Sequence, residues 1–538
     1  MLRLLSQIHV VSTAATLHWL LSMLAFVGLW AGELYCVQKK TLISAQDSSE
    51  RFVRWSPRIR LALNICFIFV VSTFLPRWWL LGISVIVFLV HWGLISHYQY
   101  FLRPLSALSL FHNWREGVIA GGYTFGVRRT RLTWILATIL LVKAALLLTM
   151  PAESGISGWW VKGVGLLALV GYLAIAVVAS WMDPLEKIRT TRGFGRVSLI
   201  RGYFITWLAE FYYLGRHEVL TGALRQREIR QDHLSPVESP ITVHNRLIII
   251  QVESLDFNVL GFEIGGQEVT PFLNRLQQQS LFYRVAGARH IGSADADFVM
   301  LSGVMPSTRI ITYNIPNYPY ENTLPQFLSQ YGYRTAAFHG NTGNFYNRRD
   351  AFEKMGLAEM HFREEMVFRD GLRAQSWGVD DRDVLDLSAR RLQDAGDEER
   401  ICHFIITLTT HTPYTMLPSS EQELFAKPQS MAQHYLNNMR WLDHRLRDYV
   451  GSLKLATVVI YSDHAADPAI GPEFRAHWDG LKEFVPCFIF NTDEDLGACQ
   501  QTSESVARGG SLTMLDISGY LRSQVAKACP IVNAAHGG

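Results

Sequence analysis

Five apolar stretches in the first third of the chain limit what it can fold into more than any other feature. They lie near Val10–Val37, Ile59–Leu75, Trp78–Leu94, Thr133–Met150 and Trp159–Met182. A helix needs about 20 apolar residues to cross a bilayer, and the second and third stretches are short of that as delimited. Backbone groups inside lipid must satisfy one another, so each crossing segment is expected to be a helix. The expectation is an all-α transmembrane domain of five helices over residues 1–182. Trp78, Trp79, Trp159 and Trp160 stand at segment starts, where an interfacial aromatic belt forms. The first stretch is longer than a signal-peptide core and has no clear small-residue cleavage site, so it is expected to stay on the protein. Glu33, His91 and Lys143 fall within or near these stretches. The sequence assigns them no role, and Glu33 is close enough to a segment end to snorkel.

Residues 183–245 are mixed. Lys187, Arg189, Arg192, Arg196 and Arg201 are basic. Gly202–Gly215 is amphipathic and aromatic but too short to span, so it is expected to lie on the membrane surface. Pro236, Pro240 and their polar neighbours read as a linker. Net charge is only +3, and no basic cluster interleaved with aromatics appears, so no nucleic-acid partner is expected. The six cysteines show no CxxC spacing. Cys499 and Cys529 could form one disulfide or remain two thiols.

From Arg246 to the end, composition becomes that of a soluble domain, and strand and helix signals alternate. Strands are expected at Leu247–Val252, Leu281–Val285, Arg334–His339, His403–Thr409, Leu455–Tyr461 and Val485–Phe490. Helices are expected at Thr270–Gln278, Ala294–Gly303, Thr323–Tyr331 and His434–Val450. On the last, Leu436, Met439, Leu442, Leu446 and Tyr449 fall at helical spacing. Alternation of this kind gives an α/β domain with a mostly parallel central sheet covered on both faces. Ligands bind at the carboxyl edge of such sheets. Gly261–Gly266 looks like a nucleotide loop but does not open a helix, so that reading is discarded.

Several polar groups fall where that edge should be. Glu253 follows the first strand, and Asp463-His464 follows Thr457–Ser462. Carboxylate and neutral imidazole are both good ligands for a divalent cation. His339-Gly340-Asn341, Phe345-Tyr346-Asn347-Arg348 and Thr410-His411-Thr412 follow two other strands. Arginine brings a planar fork of donors that fits phosphate oxygens. In Gly292-Ser293-Ala294-Asp295-Ala296-Asp297, a hydroxyl precedes an apolar helical run. Unpaired N–H groups at a helix start favour negative charge, which suits an oxygen that carries phosphate. An ordinary serine N-cap is the plain alternative, as a turn with a surface histidine is for Asp463-His464.

Taken together, these motifs resemble the lipoteichoic acid synthase type of the alkaline phosphatase/sulfatase superfamily, which includes phosphoglycerol transferases acting on periplasmic glucans. The resemblance runs from about Arg246 to about Phe490, and a five-span anchor ahead of it also fits. It implies a sulfatase-like catalytic domain over 246–538. It implies that Glu253, Ser293, Asp463 and His464 ligate one divalent metal, manganese, with magnesium or zinc as alternatives. It implies Ser293 as nucleophile, and His339, Asn341, Tyr346, Arg348 and His411 around the donor head group, with His411 also able to act in catalysis. The implied activity is transfer of a phospholipid head group, from phosphatidylglycerol, through a covalent serine intermediate to a glycan or polymer. Phosphoethanolamine transfer and phosphodiester hydrolysis are the alternatives.

There are departures from the family pattern. The nucleophile is serine where threonine is usual, and Tyr346 and Asn341 stand where tryptophan and aspartate are common. Formylglycine chemistry is excluded, because a sulfatase of that kind needs C/S-x-P-x-R and Ser293 is followed by Ala-Asp-Ala. Basic residues crowd the loops after the first and third stretches (Lys39, Lys40, Arg51, Arg54; Arg115, Arg128, Arg129, Arg131) and the region after the fifth. The positive-inside tendency would make those regions cytoplasmic. The resemblance implies a bacterial inner-membrane protein whose catalytic domain faces the periplasm. Long domains translocate largely regardless of charge, and the outward orientation is the expectation.

Overall fold

The computed structural model describes residues 2–41, 50–101, 105–112, 131–150, 158–182, 184–185, 191–213, 241–307, 310–375, 377–466, 470–474, 484–493 and 512–529. The chain divides into two compact units, residues 1–110 with 125–218, and residues 111–124 with 219–538.

The first unit is helical. Its long helices are α1 (Leu2–Thr41), α2 (Glu50–Phe74), α3 (Arg77–Phe101), α4 (Arg131–Thr149), α5 (Gly158–Met182) and α6 (Thr191–Tyr213). Each of α1 to α5 contains a stretch long and apolar enough to cross a membrane. The chain is a multi-pass membrane protein. Pro76 separates α2 from α3 because a proline cannot continue the first helix.

Two expectations change here. Glu33 does not snorkel: α1, α3 and α4 bury it at 1% exposure. Its Oε1 lies 2.7 Å from His91 Nδ1, and its Oε2 accepts from Lys143 Nζ at 2.5 Å. Partners on two neighbouring helices replace the membrane interface. The expected surface helix begins earlier, at Thr191, and is bent at Gly202, whose φ is +75°. With φ +75° and ψ 179°, the Gly202 backbone is strained for any residue bearing a Cβ, so glycine permits the bend. Ile200, Tyr203, Thr206, Ala209 and Glu210 are buried, while Phe204, Leu208, Phe211 and Tyr212 are exposed. The helix is therefore half embedded in its own unit. The Pro236 and Pro240 linker lies outside the described residues.

The second unit is built on an eight-stranded sheet. Its strands are β1 (Arg246–Val252), β2 (Leu281–Ala286), β3 (Arg334–His339), β4 (Glu359–His361), β5 (Ile401–Ile406), β6 (Ala456–Ser462), β7 (Phe484–Asn491) and β8 (Leu512–Thr513). Their spatial order is β8-β2-β7-β6-β1-β5-β3-β4. Only β7 runs antiparallel to its neighbours. Since β7 is antiparallel to both β2 and β6, those two point the same way. The carboxyl ends of β2, β6, β1, β5 and β3 therefore share one edge. Continuous burial along β1, β5 and β6 explains their Ile- and Val-rich, non-alternating sequences.

Helices cover the faces, among them α7 (Pro271–Gln279), α8 (Ala294–Ser302), α9 (Leu324–Gln330), α10 (Arg348–Lys354), α11 (Asp381–Gln393), α12 (Met431–Ser452) and α13 (Met514–Ala528). The five residues expected on one face of α12 are all buried, in the same apolar cluster as Ile248, Ile250, Val458 and Ile460. Asp443 on α12 accepts from Phe272 N at 2.8 Å and Leu273 N at 2.9 Å, closing the exposed N-terminus of α7. Gly261–Gly266 belongs to a two-stranded hairpin, Glu263–Ile264 against Gln267–Glu268. The expected strand at His403–Thr409 starts at Ile401 and stops at Ile406, because Leu408 N and Thr409 N donate to Asp381 instead of a strand. Cys529 is a buried free thiol, and Cys499 lies outside the described residues.

Candidate metal centre and nucleophile

Strand register assembles the first three side chains. Val252 pairs with Ser462, so the residues that follow, Glu253 and Asp463, leave adjacent parallel strands at the same level. One ligand atom each from Glu253, Asp463 and His464 lie within 4.8 Å of one another. Ser254 has φ +56°, a left-handed turn that stops β1 abruptly. That turn lets Ser254 N donate to Asp463 Oδ1 at 2.8 Å and Ser254 Oγ donate to Glu253 Oε1 at 2.8 Å. The Glu253 backbone is gripped from the β5 side: its N donates to Thr407 Oγ1 and its carbonyl accepts from Thr410 Oγ1.

The cluster has the donor atoms that a cation could use. Asp463 Oδ1 already accepts from Ser254 N and His464 N, whereas its buried Oδ2 accepts no hydrogen bond among the described residues. His464 Nδ1 lies 2.8 Å from the Ala465 carbonyl, which fixes the proton there and leaves a lone pair on Nε2. That Nε2 sits 3.4 Å from Glu253 Oε1 and 3.4 Å from Asp463 Oδ2. Three ligand-type atoms face one another, and without a cation the two carboxyls relieve their repulsion by holding a proton on the Asp463 side. Burial and the neighbouring Glu253 charge push the Asp463 carboxyl well above its ordinary range. Burial opposes ionisation of Glu253 too, but His411 and His464 hold its carboxyl below the usual value. Burial, with Arg289 nearby, keeps His464 neutral, its pKa down at about 3. Neutral imidazole plus two carboxylates is a donor set that a divalent metal fits.

Ser293 arrives from β2. One strand, β7, separates β2 from β6, the nearer member of the β1–β6 pair, a distance of two strand spacings or about 10 Å, and residues 287–292 carry the chain along the edge. Asp295 shapes that approach: its Oδ2 accepts from the backbone N of His290, Ile291 and Gly292. Ser293 occupies the N-cap position of α8 but makes no side-chain capping bond. The plain alternative, a serine spent on capping, is therefore not what the structure has. Gly292 leaves room for Tyr346, since a Cβ there would lie 2.7 Å from Tyr346 Oη and push that ring away.

The residues expected around a head group lie at the ends of β3 and β5 and on the loop before α10. His339, at the end of β3, has Nδ1 3.0 Å from the Ile406 carbonyl, and its Nε2 lies 3.5 Å from Arg348 Nη1. Burial, then Arg348, hold its pKa down at about 3. Arg348 Nε donates to Asp297 Oδ2 at 2.7 Å, and Tyr313 Oη donates to Asp297 Oδ1 at 2.7 Å. The Arg348 guanidinium sits over the Tyr346 ring, 5.2 Å from its centre. Asn341 is buried beside His339, its Oδ1 accepting from Thr342 N. His411 has Nδ1 2.7 Å from the Thr412 carbonyl and its ring 4.2 Å from that of Trp377.

Sequence reasoning missed four contributors. Asp297 and Asp295 lie in the first turn of α8, where acids are common, yet one holds Arg348 and the other holds the loop before Ser293. Trp377 backs His411, and Asp381 anchors the segment leading to it. The signal for Trp377 was Gly378: its Cβ would stand 2.1 Å from the Gly340 carbonyl oxygen, so two glycines mark a backbone contact that brings Trp377 to the site.

Comparisons with known proteins place the fold. The family model described as Sulfatase matches residues 245–503. A lipoteichoic acid synthase-like protein of Bacillus subtilis is 24% identical over 251 residues, covering 45% of this chain and 40% of that protein. Lipoteichoic acid synthase 2 of the same organism is 23% identical over 430 residues, covering 73% of this chain and 65% of that protein. These matches span less than two thirds of each curated relative. Among solved structures, the integral membrane protein lipooligosaccharide phosphoethanolamine transferase A of Neisseria meningitidis shares the fold over 95% of both chains, with a TM-score of 0.57 and 12% identity.

Proposed function

We propose that this chain, whose residues 245–503 form a sulfatase-family domain, is a membrane-anchored transferase that moves the phosphoglycerol head group of phosphatidylglycerol to a glycan or polymer hydroxyl. The observation that carries the reading is the three-ligand cluster at the sheet edge, with buried acceptor atoms aimed at one another. Glu253, Asp463 and His464, completed by Ser293 Oγ, are the residues that would hold one divalent cation, manganese, magnesium or zinc. Such a cation lowers the pKa of a bound hydroxyl and polarises a phosphoryl oxygen.

In this reading Ser293 Oγ attacks the phosphorus of the lipid, the bond to diacylglycerol breaks, and a covalent phosphoserine ester remains. The N–H groups at the start of α8 and the Arg348 fork neutralise the phosphoryl oxygens. His411 donates a proton to the departing oxygen or holds the head group. An acceptor hydroxyl then displaces Ser293. The five-helix anchor keeps the site beside a donor dissolved in the bilayer, and the domain faces the periplasm from the inner membrane.

We read the head group as glycerol rather than ethanolamine. A carboxylate is a strong partner for an ammonium group, and the carboxylates described at the site are engaged. Asp297 is engaged by Arg348 and Tyr313, Glu253 and Asp463 belong to the cation cluster, and position 341 is Asn. Labelled phosphatidylglycerol and phosphatidylethanolamine, offered to the full chain in detergent with manganese, test the reading. Transfer from the first alone, abolished in Ser293→Ala, is expected. Transfer from the second alone moves the assignment to ethanolamine, release of free glycerophosphate without an acceptor adduct makes the protein a hydrolase, and full activity in Ser293→Ala refutes the covalent scheme. Alkaline-phosphatase fusions at Asp183 and Arg246 test orientation, with activity in both expected.

A further inference from the structure

The residues that bind the phosphoryl group and the residue that attacks it are joined outside the cation cluster. The segment Phe345-Tyr346-Asn347-Arg348 touches the Ser293 segment on both sides. Tyr346 Oη fills the space beside Gly292, one residue before the nucleophile. Arg348 donates to Asp297, four residues after it and on the same face of the helix start. Asp297 is fully buried, with 0% side-chain exposure against 3% for Arg348. Tyr313 occupies the other carboxylate oxygen. The loop carrying Arg348 adopts left-handed backbone at Tyr346 (φ +57°) and Asn347 (φ +56°), conformations that non-glycine residues take only where their surroundings impose them. Asn347 Nδ2 donates to the Tyr313 carbonyl at 3.0 Å, so Tyr313 braces the loop as well as the carboxylate.

We propose that Asp297 is a positioning residue: it fixes the plane of the Arg348 guanidinium so that the Nη groups, Nη1 beside His339 Nε2, meet the phosphoryl oxygens at the distance set by Ser293. This rests on the transferase reading. Arginine's use to a phosphate is geometric, because its donors form a rigid fork. Spending Nε on a carboxylate anchored in the nucleophile's own helix leaves the two Nη groups and one orientation. Arg348 and Ser293 then move as one unit, and the separation between attacker and phosphate clamp is set by covalent geometry and one buried ion pair.

The test is a double-mutant cycle in the full chain, read by two measurements: equilibrium binding of inorganic phosphate in the presence of manganese, and kcat and KM for transfer from phosphatidylglycerol. Asp297→Asn and Arg348→Met should each weaken phosphate binding about 100-fold, as loss of one partner of a buried charge pair does. Asp297→Asn in the Arg348→Met background should cost nothing further. Gly292→Ala, which pushes on Tyr346 instead, should raise KM with phosphate binding reduced less than tenfold. If Asp297→Asn does not fold, Tyr313→Phe replaces it, with a loss of about fivefold expected that vanishes in the Arg348→Met background. Phosphate binding within threefold of wild type in Asp297→Asn, or additive losses in the double variant, overturns the proposal. Phosphate binding needs no turnover, so the proposal is judged even if Ser293→Ala proves active and the transferase reading fails.

Discussion

Asp463→Asn should make the metal-free protein more stable and the metal-loaded protein less so. Ligand atoms of Glu253 and Asp463 lie no more than 4.8 Å apart, both buried. Two full charges at that separation repel by about 3 kcal/mol at an effective dielectric near 20. Protonation of the pair relieves part of this, so about 2 kcal/mol remains to be recovered. Asparagine keeps Oδ1 for Ser254 N and His464 N, while its NH2 group replaces Oδ2 and can donate to the His464 or Glu253 acceptors. In chelator the variant should therefore melt roughly 4–8 °C above wild type. Manganese at 1,000 times its Kd stabilises wild type by about 4 kcal/mol. The variant, with a donor where a ligand oxygen should be, should gain almost nothing. The assay is thermal melting of both full chains in detergent, with chelator and with manganese. A variant less stable than wild type in chelator, or one that keeps the manganese shift, refutes the reasoning.

Three other outcomes follow from the same geometry. Burial pushes the carboxyls of Asp381 and Asp443 up to about 7, from an unfolded value near 4. Between those values the folded state holds more protons than the unfolded one, so stability falls as pH rises from about 4 to about 7, by about 1.4 kcal/mol per pH unit for each group. Asp443→Asn should flatten melting temperature against pH over that window, and an unchanged slope would contradict the assignment. In the membrane unit, Lys143→Leu strands the Glu33 carboxylate and should destabilise by about 3–5 kcal/mol, whereas Glu33→Leu with Lys143→Leu should recover most of it; the yield of monodisperse protein in detergent reports both. Trp377→Ala removes the ring against His411 and should raise KM for the lipid about tenfold with metal-dependent melting unchanged, a loss of that shift placing Trp377 in the cation site instead.

Much of this protein was legible before any coordinates. The five spans, the strands that are buried on both faces, and the buried stripe on α12 follow from hydrophobic length and period alone. Glu253, Asp463 and His464 were readable because each ends a strand of unmistakable composition. What was not legible depended on contacts distant in sequence. β4 has three residues, Glu-Met-His, too few for a period. α11 carries a readable apolar face (Val384, Leu385, Leu387, Leu392) and an Asp380 cap that were passed over, and β8 has only two residues. The Glu33 network needs three helices to meet before its meaning appears. Asp297 looks like any first-turn acid until Arg348, 51 residues away, is placed against it.

The most direct measurement of the central claim is the mass of the Ser293 peptide from full-length enzyme incubated with phosphatidylglycerol and manganese, without acceptor. The account predicts an increase equal to one glycerophosphoryl group on Ser293, absent in Asp463→Asn and discharged when acceptor is added. An unmodified Ser293 peptide from enzyme that is turning lipid over would contradict it.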